Sequence, residues 1–152
     1  MGVEEKDIQV RRMVDEDIPL VKVIDRSLSA SQRAISWPVH AELEVEVYRP
    51  ALSFIAELNG VAVGFLLGDI RGVEYGTDMI GWIDMLAVHP KYQRLGIGRR
   101  LVEAFCEACA RNKVNAQVLL RDDDEQLKRF FNLLDFHRGG FTVLVREPPT
   151  EK

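Results

Sequence analysis

The sequence predicts a single α/β domain, a sheet with mixed strand pairing and helices packed on its faces. Three observations carry that expectation. Apolar periodicity changes along the chain in the order strand, two helices, three strands, helix, strand, helix, strand. No internal repeat and no linker-like stretch divides the 152 residues, so residues 1–152 read as one unit. With 47% hydrophobic and 29% charged residues, the composition is that of a folded chain able to bury one core, and it excludes collagen-like and disordered classes.

The elements follow in order. Residues 8–13 read as a short strand. Asp15, Glu16 and Asp17 followed by Pro19 mark a helix N-terminus, and Leu20, Val21, Ile24 and Leu28 recur at helical spacing behind them. Ser36, Trp37 and Pro38 suggest a turn, and residues 41–48 a second helix. Residues 53–58 and 61–67 are two strands joined by Asn59-Gly60, the dipeptide best suited to a type I′ hairpin turn. A glycine-containing loop over 69–77 precedes a strand over 79–88, which His89-Pro90 stops because proline cannot continue a ladder. A long helix then runs to about Asn112, with Leu101, Val102, Phe105, Cys106 and Cys109 on or beside its apolar face. Residues 116–121 read as a strand, Asp122, Asp123 and Asp124 as a cap, and Leu127, Phe130, Phe131 and Leu134 as the apolar stripe of a last helix. Residues 141–146 read as a final strand.

Charge and cysteine content narrow the function classes. A formal net charge of −4 argues against a general nucleic-acid surface, because phosphate affinity comes from accumulated Lys and Arg. No apolar stretch approaches the roughly 20 residues that span a bilayer, and the first residues lack a secretory signal, so the expected location is the cytoplasm, with no membrane partner. Cys106-x-x-Cys109 has redox spacing, but its place in the middle of an amphipathic helix reads as core. His40, His89 and His137 form no ligand spacing with these cysteines, and no metal is expected. Trp37 and Trp82 read as packing residues or as walls of an acceptor pocket.

The chemistry concentrates in Gln93-Arg94-Leu95-Gly96-Ile97-Gly98, between a strand and a helix. Glycines there let backbone N–H groups approach a ligand, and the first helical turn that follows has unpaired amides and a positive dipole end. Arg94, Arg99 and Arg100 would oppose that dipole by roughly 0.3–1 kcal/mol each, a penalty that a bound polyanion reverses. A glycine turn with solvated arginines is the plainer alternative. The dinucleotide fingerprint does not fit, since Leu101 stands where its third glycine belongs, and no Gly-Lys pair exists to make a Walker loop.

The run from Ile83 through Leu101, Ile83-Asp84-Met85-Leu86-Ala87-Val88-His89-Pro90-Lys91-Tyr92-Gln93-Arg94-Leu95-Gly96-Ile97-Gly98-Arg99-Arg100-Leu101, resembles the strand, turn and helix with which GNAT N-acetyltransferases bind acetyl-CoA, including the Q/R-x-x-G-x-G/A signature. Downstream, Phe130-Phe131-Asn132-Leu133-Leu134-Asp135-Phe136 is similar to the family's L-Y-x-x-x-G-F segment. The resemblance covers about residues 53–136. It implies a GNAT-like α+β fold: a mixed, mostly antiparallel central sheet flanked by helices and splayed at the cofactor strand. Acetyl-CoA is the implied cosubstrate. Leu86, Ala87 and Val88 would pair with the pantetheine arm like an added strand. The amides of Gln93, Arg94, Leu95, Gly96, Ile97 and Gly98 would hold the pyrophosphate, and Arg94, Arg99 or Arg100 would reach the outer phosphates. Asp124 stands where the family's helix usually starts with asparagine, either touching pantetheine through water or serving only as a solvated cap. Phe131 occupies the place of the family tyrosine that often protonates the leaving thiolate, and it has no proton to give.

The implied reaction is direct attack of a primary amine on the thioester, the acceptor being a small molecule or a protein amino group. An amine with pKa near 10.4 is only about 1 part in 2,500 neutral at pH 7, a handicap of roughly 4–5 kcal/mol unless a base removes its proton. Asp84 is the first candidate base, since strand alternation puts it on the face of Leu86; Glu74 and Asp78 stand behind it, and Tyr75 is a substitute acid. Glu42, Glu44, Glu46, Glu74 and Asp78 would favour a cationic acceptor. The vacancy at Phe131 motivates an alternative, a catalytically weak acyl-CoA-binding or regulatory module. The segment after Phe136 leaves little room for the family's closing hairpin, which points to a homodimer whose partner completes the sheet.

Overall fold

A computed structural model describes residues 4, 7–37, 41, 45, 51–72 and 78–151. Its strands β1 (Ile8–Arg12), β2 (Phe54–Leu58), β3 (Val61–Arg71) and β4 (Ile80–Val88) are consecutive antiparallel neighbours, and β5 (Ala116–Val118) joins β4 in parallel. That last pairing needs a crossover, which is α2 (Ile97–Arg111). Helix α1 (Ile18–Ser27) lies between β1 and β2 in sequence, and α3 (Glu125–Asn132) follows β5. The β2–β3 hairpin turns through Asn59 and Gly60, at φ 51° and 81°, the double positive φ of a type I′ turn.

Two apolar layers cover the two faces of the sheet. On one, Leu101, Phe105 and Cys109 of α2 pack with Phe54, Leu66 and Ile83; on the other, Val21 and Ile24 of α1 meet Ile55, Phe65, Leu67, Met85 and Ala87. Burial on both faces explains why the middle of β3 is almost unbroken in its apolarity instead of alternating. Close approach of α2 demands glycine beneath it: a Cβ on Gly68 would sit 2.6 Å from the Phe105 ring, and one on Gly81 would strike the Cys109 sulfur.

Two ion-pair clusters fasten the α1 side. The Arg11 guanidinium donates to Asp17 at 2.7 and 2.8 Å and to Glu57 at 2.9 Å, joining β1, β2 and the entrance to α1. Buried Asp25 accepts from Arg33 at 2.7 Å and from the Ala41 amide at 2.9 Å, folding the segment after α1 back onto that helix.

Three expectations need correction or qualification. Of the helix read over 41–48, only Ala41 and Val45 are described, both buried, and the rest lies outside the described residues. The strand read over 116–121 pairs only as far as Val118. Residues 141–146 join no ladder and lie exposed, so β propensity by itself does not make them a strand. The alternation argument at Asp84 also fails. Met85 pairs with Leu67 and Ile83 with Gly68, so Asp84 is an extra residue in β4 with no partner in β3. This bulge leaves Leu86 and Ile83 on the α2 face and turns Asp84 to the opposite one, where Arg71 meets it.

Candidate active site

Strands β4 and β5 pair only through Gly81, Trp82 and Ile83 opposite Ala116, Gln117 and Val118. Past that point residues 84–88 continue along β3 without β5 beside them, so the sheet opens between the two strands. The predicted pantetheine strand, Leu86, Ala87 and Val88, forms one lip of this opening. Leu86 and Val88 are half-buried toward α2, and Ala87 packs on the α1 side.

The turn leaving β4 is built from its own backbone. After the 3₁₀ turn Pro90–Tyr92, the Gln93 side-chain amide donates to the Val88 carbonyl at 3.1 Å and ties the turn to the strand end. Arg94 and Gly96 both adopt left-handed φ, 67° and 80°. Such residues curl successive N–H groups into a concave cradle suited to an oxyanion. Helix α2 follows directly: Gly96 offers no side-chain cap, the first turn carries no acidic residue, and first-turn amides such as those of Ile97 and Gly98 have no helical carbonyl behind them. Leu95 packs into the core, while Arg94 and Arg99 are exposed at the rim. Arg100 reaches instead to the Ile8 carbonyl, at 3.3 Å. At Gly98 a Cβ would meet the Phe130 ring at 3.6 Å and Leu86 at 3.8 Å, ordinary contacts, so packing within the protein does not itself require glycine there. Cradle, uncapped helix and open strand edge together fit a diphosphate carrying an extended amide-bearing arm.

Asp84 lies on the α1 side of the opening, its carboxylate held by both guanidinium nitrogens of Arg71 at 2.6 and 3.0 Å. No local pattern points to Arg71 as its partner, because the pairing joins two strands across the bulge. Glu74 and Tyr75 lie outside the described residues, and Asp78 is exposed at their border.

The remaining candidates are tied into the helix cap and the core behind the opening. Asp124 is buried: one oxygen caps α3 by accepting from the Leu127 amide at 3.1 Å, and the other accepts from the Ser36 amide and hydroxyl at 2.9 and 2.8 Å. Ser36 in turn accepts from the Arg121 amide at 3.0 Å. Burial pushes the Asp124 carboxyl up, but the hydrogen bonds from Ser36 and Leu127 and the charge of Arg121 outweigh it and hold the group below the usual carboxylate range. Phe131 is 2% exposed, wedged edge-on among Trp37, Phe130 and Phe136. Trp37 touches both core layers, so the segment after α1 is clasped against α3 at the sheet's opening. Cys109 is buried, its thiol pushed up to about 11 by desolvation and then by Cys106, as expected of a core residue. Among the described residues no group of His, Cys, Asp and Glu could hold a metal ion, and no helix is long and apolar enough to cross a membrane.

An opened mixed sheet with an amide cradle between β4 and the following helix describes an arrangement suited to a diphosphate with an extended arm. The profile of the acetyltransferase (GNAT) family matches residues 23–136, and the chain belongs to that family. It is 40% identical over 68 residues to YjhQ of Escherichia coli K12, described as an uncharacterised N-acetyltransferase; the match spans 43% of this chain and only 37% of YjhQ. Similar solved structures include the aminoglycoside acetyltransferase AAC(6')-Iy with a CoA bisubstrate analogue, at TM-score 0.71 and 19% identity over 93% of this chain and 99% of that one. Naa50 of Arabidopsis thaliana with the analogue CoA-Ac-MVNAL gives 0.66 and 17%, over 88% of this chain and 85% of that one. At these identities the likeness shows the fold.

Proposed function

We propose that the chain transfers the acetyl group of acetyl-CoA to a primary amine by direct attack, with no covalent enzyme intermediate. The observation that carries this is the left-handed pair Arg94 and Gly96 leading into an uncapped α2 beside the open edge of β4. Residues 93–98 hold the pyrophosphate through backbone N–H groups, Arg94 and Arg99 face the outer phosphates, and Leu86, Ala87 and Val88 run alongside the pantetheine arm. Amides of that strand polarise the thioester carbonyl as charge develops on its oxygen. The amine nitrogen forms a bond to the carbonyl carbon, the C–S bond breaks, the amine proton passes to Asp84, and the departing thiolate is later protonated by water. A thiolate of pKa roughly 8–9 is a tolerable leaving group, which is compatible with phenylalanine at 131.

Asp124 and Phe131 support the site from behind, as clasp and packing. The AAC(6')-Iy and Naa50 structures hold the bisubstrate analogues CoA-S-monomethyl-acetylneamine and CoA-Ac-MVNAL respectively, so small amines and protein amino groups both belong in an acceptor panel. The working form in this reading is a cytoplasmic homodimer.

The second reading, a catalytically weak acyl-CoA-binding module, is favoured by one observation: the candidate base is already clamped by Arg71. Isothermal titration with acetyl-CoA and a thiol-release assay over the amine panel separate the two. Coenzyme binding with amine-dependent thiol release supports the transferase; binding without release across the panel supports the module. Failure to bind acetyl-CoA at all overturns both.

A further inference from the structure

Two residues that belong to neither strand stand in the opening between β4 and β5. The Gly81 amide donates to the Asn115 carbonyl at 2.8 Å, which turns the backbone groups of Asn115 and Gln117 toward β4. The same alternation, carried along the chain, aims the Arg121 amide to that side as well, where an unbroken sheet would have it bond to β4. It donates instead to the Ser36 hydroxyl oxygen at 3.0 Å. Ser36 therefore takes the place of the missing ladder partner. Counted from the Ile83–Val118 pair, Arg121 lies as many residues along as Leu86, so Ser36 stands level with the end of the 86–88 stretch that is farther from the 93–98 turn.

Trp37 comes next and reaches across the same gap. The sheet separates the two apolar layers, yet Trp37 packs against both. On the α2 side it meets the Phe131 ring edge-on, with centroids 6.5 Å apart and planes at 88°; on the other side lies the layer that contains Met85 and Ala87 of the β4 lip. The segment is pinned. The Ser36 amide and hydroxyl donate to Asp124 at 2.9 and 2.8 Å, and the Trp37 amide donates to the Ala34 carbonyl at 3.0 Å. Just upstream, Arg33 pairs with Asp25 at 2.7 Å, with side chains 9 and 0% exposed. A close-packed ring held in this way does not yield to a ligand that presses on it.

We infer that Trp37 sets the length of the acyl group the coenzyme can carry, leaving room for acetyl and blocking longer straight chains. The inference rests on the acetyl-transfer reading: with the diphosphate at 93–98 and the arm running from Val88 to Leu86, the thioester arrives at the level of Ser36 and Trp37, and the acyl chain points at the indole. The wall acts by exclusion. In an apolar site of fixed shape, one methylene more or less changes discrimination by about 10–200-fold.

Calorimetric titration of the full chain with coenzyme A, acetyl-CoA and butyryl-CoA reads this without turnover. The unmodified chain is expected to bind butyryl-CoA at least about tenfold more weakly than acetyl-CoA. Trp37→Leu, which keeps an apolar side chain against Phe131, and Trp37→Ala should each remove most of that difference while affinity for coenzyme A stays level, because the cradle lies at the other end of the arm. A second measurement leaves Trp37 in place: in Trp82→Phe, Trp37 is the sole tryptophan, and its emission should respond differently to acetyl-CoA and to coenzyme A. Equal binding of the two thioesters by the unmodified chain, discrimination that survives in the folded variants, joint loss of all three ligands, or identical emission with both ligands would each overturn the role given to Trp37. Any of these with coenzyme A still bound by the unmodified chain leaves the acetyl-transfer reading standing. If the unmodified chain binds no coenzyme A, that reading falls and the role of Trp37 falls with it.

Discussion

Asp84 gathers the most consequence of any residue. It is the extra residue of the β4 bulge, it faces the α1 side of the opening, and Arg71 clamps it with two hydrogen bonds. If it accepts the amine proton, Asp84→Asn should lower kcat/KM by about 10²–10⁴-fold while coenzyme affinity measured by titration stays level. A loss of affinity equal to the loss of rate would assign the residue to structure instead. Gly96 bears on the other half of the site. Its Cβ would meet nothing nearer than an Arg99 nitrogen at 3.8 Å, so Gly96→Glu leaves the core untouched while straining a left-handed position and placing a carboxylate at the phosphate cradle. Acetyl-CoA binding should fall below detection by calorimetry with thermal stability changed by no more than about 1–2 kcal/mol.

The element most exposed to test is the clasp between the segment after α1 and the start of α3. The Ser36 hydroxyl is both donor to Asp124 and acceptor from the Arg121 amide, so Ser36→Ala leaves a buried carboxylate short of a partner and should lower the urea midpoint by the equivalent of about 1–3 kcal/mol. How far each element was readable from the sequence follows from the range of the interactions that make it. The Asn59-Gly60 hairpin and the stripe of α2 depend on neighbours a few residues away, and both emerged where their patterns put them. The turn over 93–98 was legible because glycine spacing and helix polarity are local too. Ser36 and Asp124 are separated by 88 residues, and no local pattern announces their pairing. Two-residue alternation likewise cannot reveal where a strand breaks step, so Asp84 was assigned to the wrong face. Residues 141–146 have strand propensity, but a strand exists only where an edge receives it.

At the scale of the whole molecule, acid should act through two buried or half-buried carboxylates. Asp17 is held below the usual range by hydrogen bonds from the Arg11 guanidinium, against the opposing effect of burial, and Asp124 is held there by Ser36 and Leu127. Depressed folded-state values mean that their stabilisation is intact above the unfolded carboxylate value of about 3.9 and is lost as pH falls through the lower folded values. Urea midpoints should therefore drop below about pH 4, and Asp17→Asn and Asp124→Asn should each flatten that decline while lowering stability at neutral pH. The two groups sit at opposite ends of the sheet order, one near β1 and one after β5, so their effects should add.

The bulge in β4 has one more consequence. Because Ile83 and Leu86 already share a side of the sheet, excising residue 84 would leave Met85 and Ile83 in ordinary succession opposite Leu67 and Gly68, with every core side chain still aimed at its own layer. Beyond its ion pair with Arg71, the surplus residue belongs to neither core layer, which frees it from the packing constraints that govern its neighbours. A chain shortened by that one aspartate should fold, bind coenzyme and make no product.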